Sequence, residues 1–263
     1  MSTADRRDLA LSFNRSAAGY QNARPDYPDE LYTDLIRTTG LRPGDRSVEI
    51  GCGPGKATVA MARRGLRITA LEPGPELAEQ ARINLAGTDA EVITTTFEDW
   101  QPDRTGDYAL AYAATAWHWL DPEVRWSKVA SVVADGGHLA VFGAGHAFPE
   151  GFDPFFTEIQ QTYEDLGERV EGWPPPTPDQ LPDPSPEYQA AGYVVDDVRR
   201  YVWSLTYDAE SYIALLRTFS GHILMPVDKR QRLFARIRRL LAERPDGLLT
   251  RHWVSTLVIC HPA

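Results

Sequence analysis

The sequence predicts an α/β fold in which a mainly parallel sheet of seven strands carries helices on both faces. Three observations predict it. Strand-like and helix-like segments alternate from residue 47 to residue 142, and a glycine-rich turn joins the first such strand to the first such helix. In addition, 43% of the 263 residues are hydrophobic, enough for one sizeable core. The chain reads as one domain in four stretches: an N-terminal helical segment over 1–40, a ligand-binding half over 41–145, a Pro-rich insertion over 146–200, and C-terminal strands and helices over 201–263.

Residues Asp5 to Leu41 read as a helical lead-in, with Leu31, Leu35 and Ile36 at helical spacing after the Pro28-Asp29 start signal. Ser47 to Ile50 is a short strand, Ala57 to Arg64 a helix, Arg67 to Leu71 a strand and Pro75 to Ala86 a helix. Then follow strands at Ala90 to Thr95 and Tyr108 to Ala113, a helix at Pro122 to Val133, and a strand at His138 to Phe142. Nine of the twenty prolines fall between Pro149 and Pro186, so long helices and regular strands are not expected there. That stretch is either a surface insertion or a lid over a substrate. Regularity returns with a strand at Tyr201 to Tyr207, helices at Ala209 to Thr218 and Lys229 to Glu243, and a last strand at Trp253 to Ile259. The arginines of the second helix, from Arg230 to Arg239, lie opposite Leu233, Ile237, Leu240 and Leu241, which makes them a solvated face.

Charge narrows the function. Lys and Arg total 27 against 37 Asp and Glu, a net charge of −10, which argues against nucleic-acid partners. The first eleven residues lack the apolar run of a secretory signal, and no stretch approaches membrane-spanning length, so no membrane association and a cytoplasmic location are expected. Cys52 and Cys260 are too few for a disulfide framework or zinc cluster, and free thiols and no structural metal are expected.

The strongest local signal is Val48-Glu49-Ile50-Gly51-Cys52-Gly53-Pro54-Gly55-Lys56, a buried-strand pattern entering a glycine turn and then a helix. A dinucleotide fingerprint requires a third glycine where Lys56 stands, which disfavours a nicotinamide oxidoreductase. A phosphate-binding P-loop requires four residues before its Gly-Lys and then Ser or Thr, whereas Gly51 to Gly55 encloses three and Ala57 follows Lys56.

Glu49, Gly51, Gly53 and Gly55, an acidic residue, a spacer and alternate glycines, resemble the first motif of the class I S-adenosylmethionine-dependent methyltransferase family, of its small-molecule, type 11-like branch. The resemblance implies a Rossmann-like sheet with an antiparallel C-terminal strand, and S-adenosylmethionine as cofactor. It implies that Glu49 orients the cofactor's methionine part and that the glycine loop lies under its amino-acid and ribose portions. A ligand bearing an ammonium and a sulfonium does call for a carboxylate. Glu72, in Leu71-Glu72-Pro73-Gly74 after the next strand, is placed to accept both ribose hydroxyls. The Thr96-Phe97-Glu98 turn corresponds to the family's adenine border, with either Thr96 or Glu98 at the exocyclic amine. Ala113 ends the strand whose carbonyls face the cofactor in the family, and Asp135-Gly136-Gly137 resembles its Pro-Gly-Gly. Upstream, Tyr20 and Arg24 resemble residues that close over the cofactor's carboxylate, and packing of an entrance helix is the other reading.

The reaction implied is methyl transfer to an oxygen, nitrogen or carbon of a small-molecule acceptor such as a secondary metabolite, and the alternative is a regulatory protein that binds the cofactor without catalysis. Acceptor-side candidates are Trp117 and His118, since the turn after the fourth strand addresses the acceptor in this family, Trp173 as an aromatic near the expected mouth, and His222, which the C-terminal helices can bring over the pocket. His118 is the candidate general base and His222 the runner-up, because an imidazole titrates near neutrality. The opposing reading packs His118 between Trp117 and Trp119, and the large aromatics, Tyr112 and Tyr193 among them, into the core.

Overall fold

The computed structural model describes residues 23–168 and 172–263. The expected helical residues from Asp5 to Asn22, Tyr20 included, lie outside them. Helix α1 (Asp29–Thr39) starts after Pro28, carries Asp29 and Glu30 where they complement the helix dipole, and stops at Gly40 with φ 67°. Alternation then follows the sequence expectation: β1 (Arg46–Ile50), α2 (Lys56–Ala62), β2 (Arg67–Leu71), α3 (Pro75–Asn84), β3 (Ala90–Ile93), β4 (Tyr108–Ala114) and α4 (Arg125–Val132).

Strand β5 (Val133–Ala147) leaves α4 directly and is far longer than the stretch expected at 138–142. Asp135-Gly136-Gly137 does not break it, because Gly136 takes φ 74° and the pairing with β4 shifts register between Tyr108 and Leu110. A Cβ on Gly137 would meet the carbonyl oxygens of Ala134 and Tyr108 at 2.9 Å each, so the bulge requires glycine there. Among the described residues between Pro149 and Pro186 the helices are short: α5 (Phe155–Glu158), α6 (Gln160–Asp165) and the start of α7 (Ser185–Ala190). Strand β6 (Tyr193–Tyr207) begins eight residues before the expected start, inside the stretch read as insertion. Helices α8 (Ala209–Leu216), α9 (Ser220–Leu224) and α10 (Val227–Ala242) lead to β7 (Leu249–Pro262), again longer than the expected 253–259.

The seven strands form one sheet in the order β3-β2-β1-β4-β5-β7-β6. β1 to β5 pair in parallel, and β7 is antiparallel to both β5 and β6. One face is covered by Leu31, Leu35, Met61, Ala81 and Leu85 of α1, α2 and the end of α3. The other is covered by Trp117, Val129, Val132 and Tyr188, from the turn after β4, α4 and α7. A third cluster around Trp253 joins α5, α8 and α10 to the far ends of β5 to β7, away from the parallel half. Chain order reverses between β1 and β4, which opens a crevice beyond their carboxyl ends. Among the described residues no helix is long and apolar enough to cross a membrane.

Candidate functional site

A cavity of about 530 Å³ occupies that crevice, a volume suited to a cofactor-sized ligand. Its floor is the β1–α2 turn. Gly51, Gly53 and Gly55 all have positive φ, at 69°, 55° and 88°, so the turn is closed to most side chains. Their surroundings differ. A Cβ at Gly51 would meet Ala116 at 2.7 Å, one at Gly55 would pack on Ala81 and Leu85 of the α3 region, and one at Gly53 would meet nothing within 4 Å. Gly51 and Gly53 line the cavity. Gly55, expected at the ligand, instead seats helix α2 against α3.

Two buried carboxylates face this floor. Glu49 is 1% exposed, and its Oε2 accepts hydrogen bonds from Thr58 Oγ1 at 2.6 Å and Tyr112 OH at 2.8 Å. Burial pushes its pKa up to about 7, the two donors oppose that rise, and the Glu72 charge adds to it. Because both donors sit on Oε2, Oε1 is the oxygen left for a ligand. Glu72 bridges two turns, its Oε2 accepting from Gly53 N and its Oε1 from Gly74 N, each at 2.8 Å. Burial raises its pKa as well, against those two amides. Each Glu72 oxygen retains a second acceptor site, the requirement for holding two hydroxyls at once. A pair of desolvated carboxylates beside a glycine floor fits a ligand with cationic and hydroxyl groups.

The side of the crevice beyond β2 and β3 is Pro73, Leu77, Thr95, Thr96, Phe97 and Glu98. Thr96 Oγ1 accepts from Asp99 N at 3.0 Å, and Glu98 Oε1 from Asp121 N at 2.9 Å. Both side chains thus shape the turn, and either can face a ring amine. Lys128 Nζ donates to the carbonyls of Glu98 and Trp100, fixing the backbone of this border.

Opposite lie Ala114, Thr115, Ala116, His118 and Trp119, with Arg24, Tyr27, Phe219 and Ser220 above them. His118 faces the cavity with its ring 4.5 Å from that of Trp119. Burial, with the Arg125 guanidinium second, holds its pKa below the ordinary histidine value. It is therefore neutral near pH 7, the state in which an imidazole accepts a proton. Arg24 donates to Thr218 Oγ1 and Thr218 O at 2.8 and 2.9 Å and stacks 4.1 Å from the Phe219 ring centre, so it roofs the cavity through α8 and α9.

Several expected residues stand elsewhere. Ala113 is fully buried in the sheet core, and the wall begins one residue later, at Ala114. Trp117 packs on Trp126 with ring centres 4.8 Å apart, and Arg125 covers it at 4.9 Å. Trp173 packs edge-on against Phe148 and Phe152. His222 points to Tyr163, 2.9 Å from its hydroxyl, and burial with the Arg251 charge lowers its pKa to about 4. None of these four side chains lines the cavity, and no described residue of 146–200 does. Tyr112 and Tyr193 serve the core through bonds to Glu49 and to the Trp126 carbonyl.

Other wall residues carried no signal of their own. Thr115 holds φ 59°, a costly geometry for a β-branched residue, of the kind that collects at functional sites. Its backbone N donates to Phe142 O at 2.7 Å and its Oγ1 shares a hydrogen bond with Tyr27 OH at 2.5 Å. Tyr27 belongs to the Arg24–Pro28 run and was findable with it. Phe219 and Ser220 were not, since nothing local marks them.

Residues 48–137 match the family model of a methyltransferase domain. An uncharacterized methyltransferase of Mycobacterium tuberculosis is 29% identical over 243 residues, 92% of this chain and 90% of that protein. A trans-aconitate 2-methyltransferase of the same species is 34% identical over 140 residues, 51% of this chain and 46% of that one. Among solved structures, a putative type II methyltransferase from Anaeromyxobacter dehalogenans shares the fold with TM-score 0.64 and 22% identity, over 91% of this chain and 99% of that one. A methyltransferase from Thiobacillus denitrificans, solved in complex with S-adenosyl-L-homocysteine, shares it with TM-score 0.56 and 15% identity, over 95% and 98%.

Proposed function

Because the chain is a class I S-adenosylmethionine-dependent methyltransferase, we propose that it methylates an oxygen, nitrogen or carbon of a small metabolite, with His118 as proton acceptor. Bound S-adenosylmethionine supplies the methyl group on a sulfonium. The residues do the rest by placement. Glu49 Oε1 holds the ammonium, Glu72 the ribose hydroxyls, the Thr96–Glu98 turn the adenine edge, and Arg24 the carboxylate at the roof. This leaves the space between His118, Trp119, Tyr27 and Phe219 for the acceptor.

Phe219, Trp119 and Leu120 give that end an apolar wall, while His118 itself stays open to solvent. Methyl transfer then depends on alignment, and a neutral imidazole removes the proton of a hydroxyl or amine acceptor. The observation that carries the reading is the division of one cavity, with two desolvated carboxylates at one end and a neutral histidine among aromatics at the other.

The test is formation of S-adenosylhomocysteine with a metabolite panel. Hydroxyl and amine acceptors test the role of His118, and carboxylic acids, which are ionised at neutral pH and need no base, are included because relatives over half the chain carry the name of a trans-aconitate methyltransferase. Turnover with a low-molecular-weight acceptor supports the proposal. Turnover only with protein or nucleic acid contradicts it.

A further inference from the structure

At the opposite end of the sheet, three side chains from three adjacent strands converge: His138 of β5, His261 of β7 and Asp196 of β6. His138 stands six residues from Ala144 of the cavity wall, roughly 20 Å along an extended strand. The group is therefore separate from the methyl-transfer crevice.

The sheet register brings them together. Leu139 pairs with Cys260, so the next rung sets His138 across from His261 on the central strand. On the other side Val195 pairs with Cys260 and Asp197 with Ile259, which leaves Asp196 as the extra residue of a β-bulge. Val194 pairs with His261, so alternation through Val195 keeps Asp196 on the face of the two imidazoles, and the bulge leaves it without a partner of its own on β7. His261 Nδ1 lies 2.9 and 3.0 Å from the two Asp196 oxygens, and His138 Nε2 lies 3.8 Å from Oδ2. The three donor atoms all fall within 4.8 Å of one another.

We infer that His138, Asp196 and His261 form a binding site for a divalent transition metal, with Zn²⁺ the best match. Two imidazoles and a carboxylate are a zinc donor set, completed by water in the fourth position. Tetrahedral bonds of ~2.1 Å place donor atoms roughly 3.4 Å apart. The His–Asp separations straddle that value, so small side-chain rotations close the site. Both histidines are partly buried and Asp196 is exposed, so the group opens to solvent on the carboxylate side, where a metal and its water can enter. On binding, His261 releases its Nδ1 lone pair to the metal and carries its proton on Nε2. The hydrogen bond to Asp196 is then replaced by two metal bonds.

A metal held this way clasps β5, β7 and β6 together at their open end. Spacing could not reveal it, because the ligands lie 58 and 65 positions apart in sequence, without a motif. It also departs from the expectation of no metal.

The experiment is calorimetric titration of chelator-treated full-length protein with Zn²⁺, paired with the visible spectrum of the Co²⁺ form. The inference predicts one Zn²⁺ per chain, cobalt d–d bands without a thiolate charge-transfer band, and a thermal midpoint rising by roughly 5 °C at zinc 100-fold above Kd. His261→Ala and the shape-conserving Asp196→Asn should each weaken binding about 30-fold or more. Affinity for S-adenosylhomocysteine should stay within about twofold, which shows that both variants are folded, since neither residue touches the crevice. No saturable Zn²⁺ binding by the wild-type chain, or wild-type affinity in both variants, overturns it.

Discussion

The two ends of the crevice are built in opposite ways. The cofactor end comes from one short run, Glu49 to Glu72, in which two strands, a glycine turn and a helix supply both carboxylates. The proposed acceptor end gathers Tyr27, His118, Trp119, Phe219 and Ser220 from segments almost two hundred residues apart. The first end is fixed by local backbone geometry and buried charge. The second depends on how the β4 turn, the N-terminal segment and α9 meet. The match to the methyltransferase domain, residues 48–137, takes in the first end together with His118 and Trp119 of the second, and omits Tyr27, Phe219 and Ser220.

The sharpest way to break this division is at the acceptor end. His118→Ala should lower turnover about 100-fold or more while cofactor affinity stays nearly unchanged. An effect confined to acceptor KM would make His118 a binding residue, and unchanged kinetics would remove it from the site. At the cofactor end, Glu72→Ala takes charged acceptors from the ribose and strands the Gly53 and Gly74 amides. Its expected cost is about 1.5 to 3 kcal/mol of cofactor binding, read by calorimetry, and full affinity in the folded variant would void the assignment.

Proton linkage sharpens the same contrast. Glu49 has a raised pKa of about 7, so unliganded protein carries it protonated below that pH, and a cationic ligand favours the ionised form. Cofactor affinity should therefore climb by up to about tenfold per pH unit as pH rises toward 7, then level off. Glu49→Gln should flatten the profile. The raised pKa also means that Glu49 lowers the stability of the unliganded fold as pH rises from the ordinary carboxylate range through about 7. His118, with its lowered pKa, should keep turnover under saturating cofactor constant until pH falls below the usual histidine range. The smallest kinetic effect is expected from Trp173→Ala. It removes packing against Phe148 and Phe152, so thermal unfolding should shift by a few degrees while KM and kcat change less than about twofold.

Legibility followed the same line. The positions of Gly51, Gly53, Glu49 and Glu72 on the crevice are legible in sequence because each stands at or beside a strand end a few residues away. Gly55 was over-read, since a positive φ and tight helix packing give glycine the same local pattern as contact with a ligand. His118 and Trp117 are adjacent, yet the 3₁₀ turn over Trp117–Trp119 sends one ring to the cavity and the other to Trp126. His222 sits on the C-terminal helices expected over the mouth, but α9 turns it to Tyr163 of α6, and Trp173 packs on Phe148 and Phe152 instead. The strands β5, β6 and β7 outran their hydrophobic cores because glycines, a bulge and charged residues continue the pairing where alternation fades. Such contacts between distant segments leave no mark at short range.

The most direct test of the division is a crossed measurement. Single-turnover methyl transfer and calorimetric cofactor affinity are taken on His118→Ala and Glu72→Ala with one accepted metabolite. The account predicts that His118→Ala loses rate at saturating cofactor with affinity retained, and that Glu72→Ala loses affinity with most of its rate recovered at saturation. Equal losses of rate and affinity in both variants would contradict it, because the two ends would then not act as separate parts of the site.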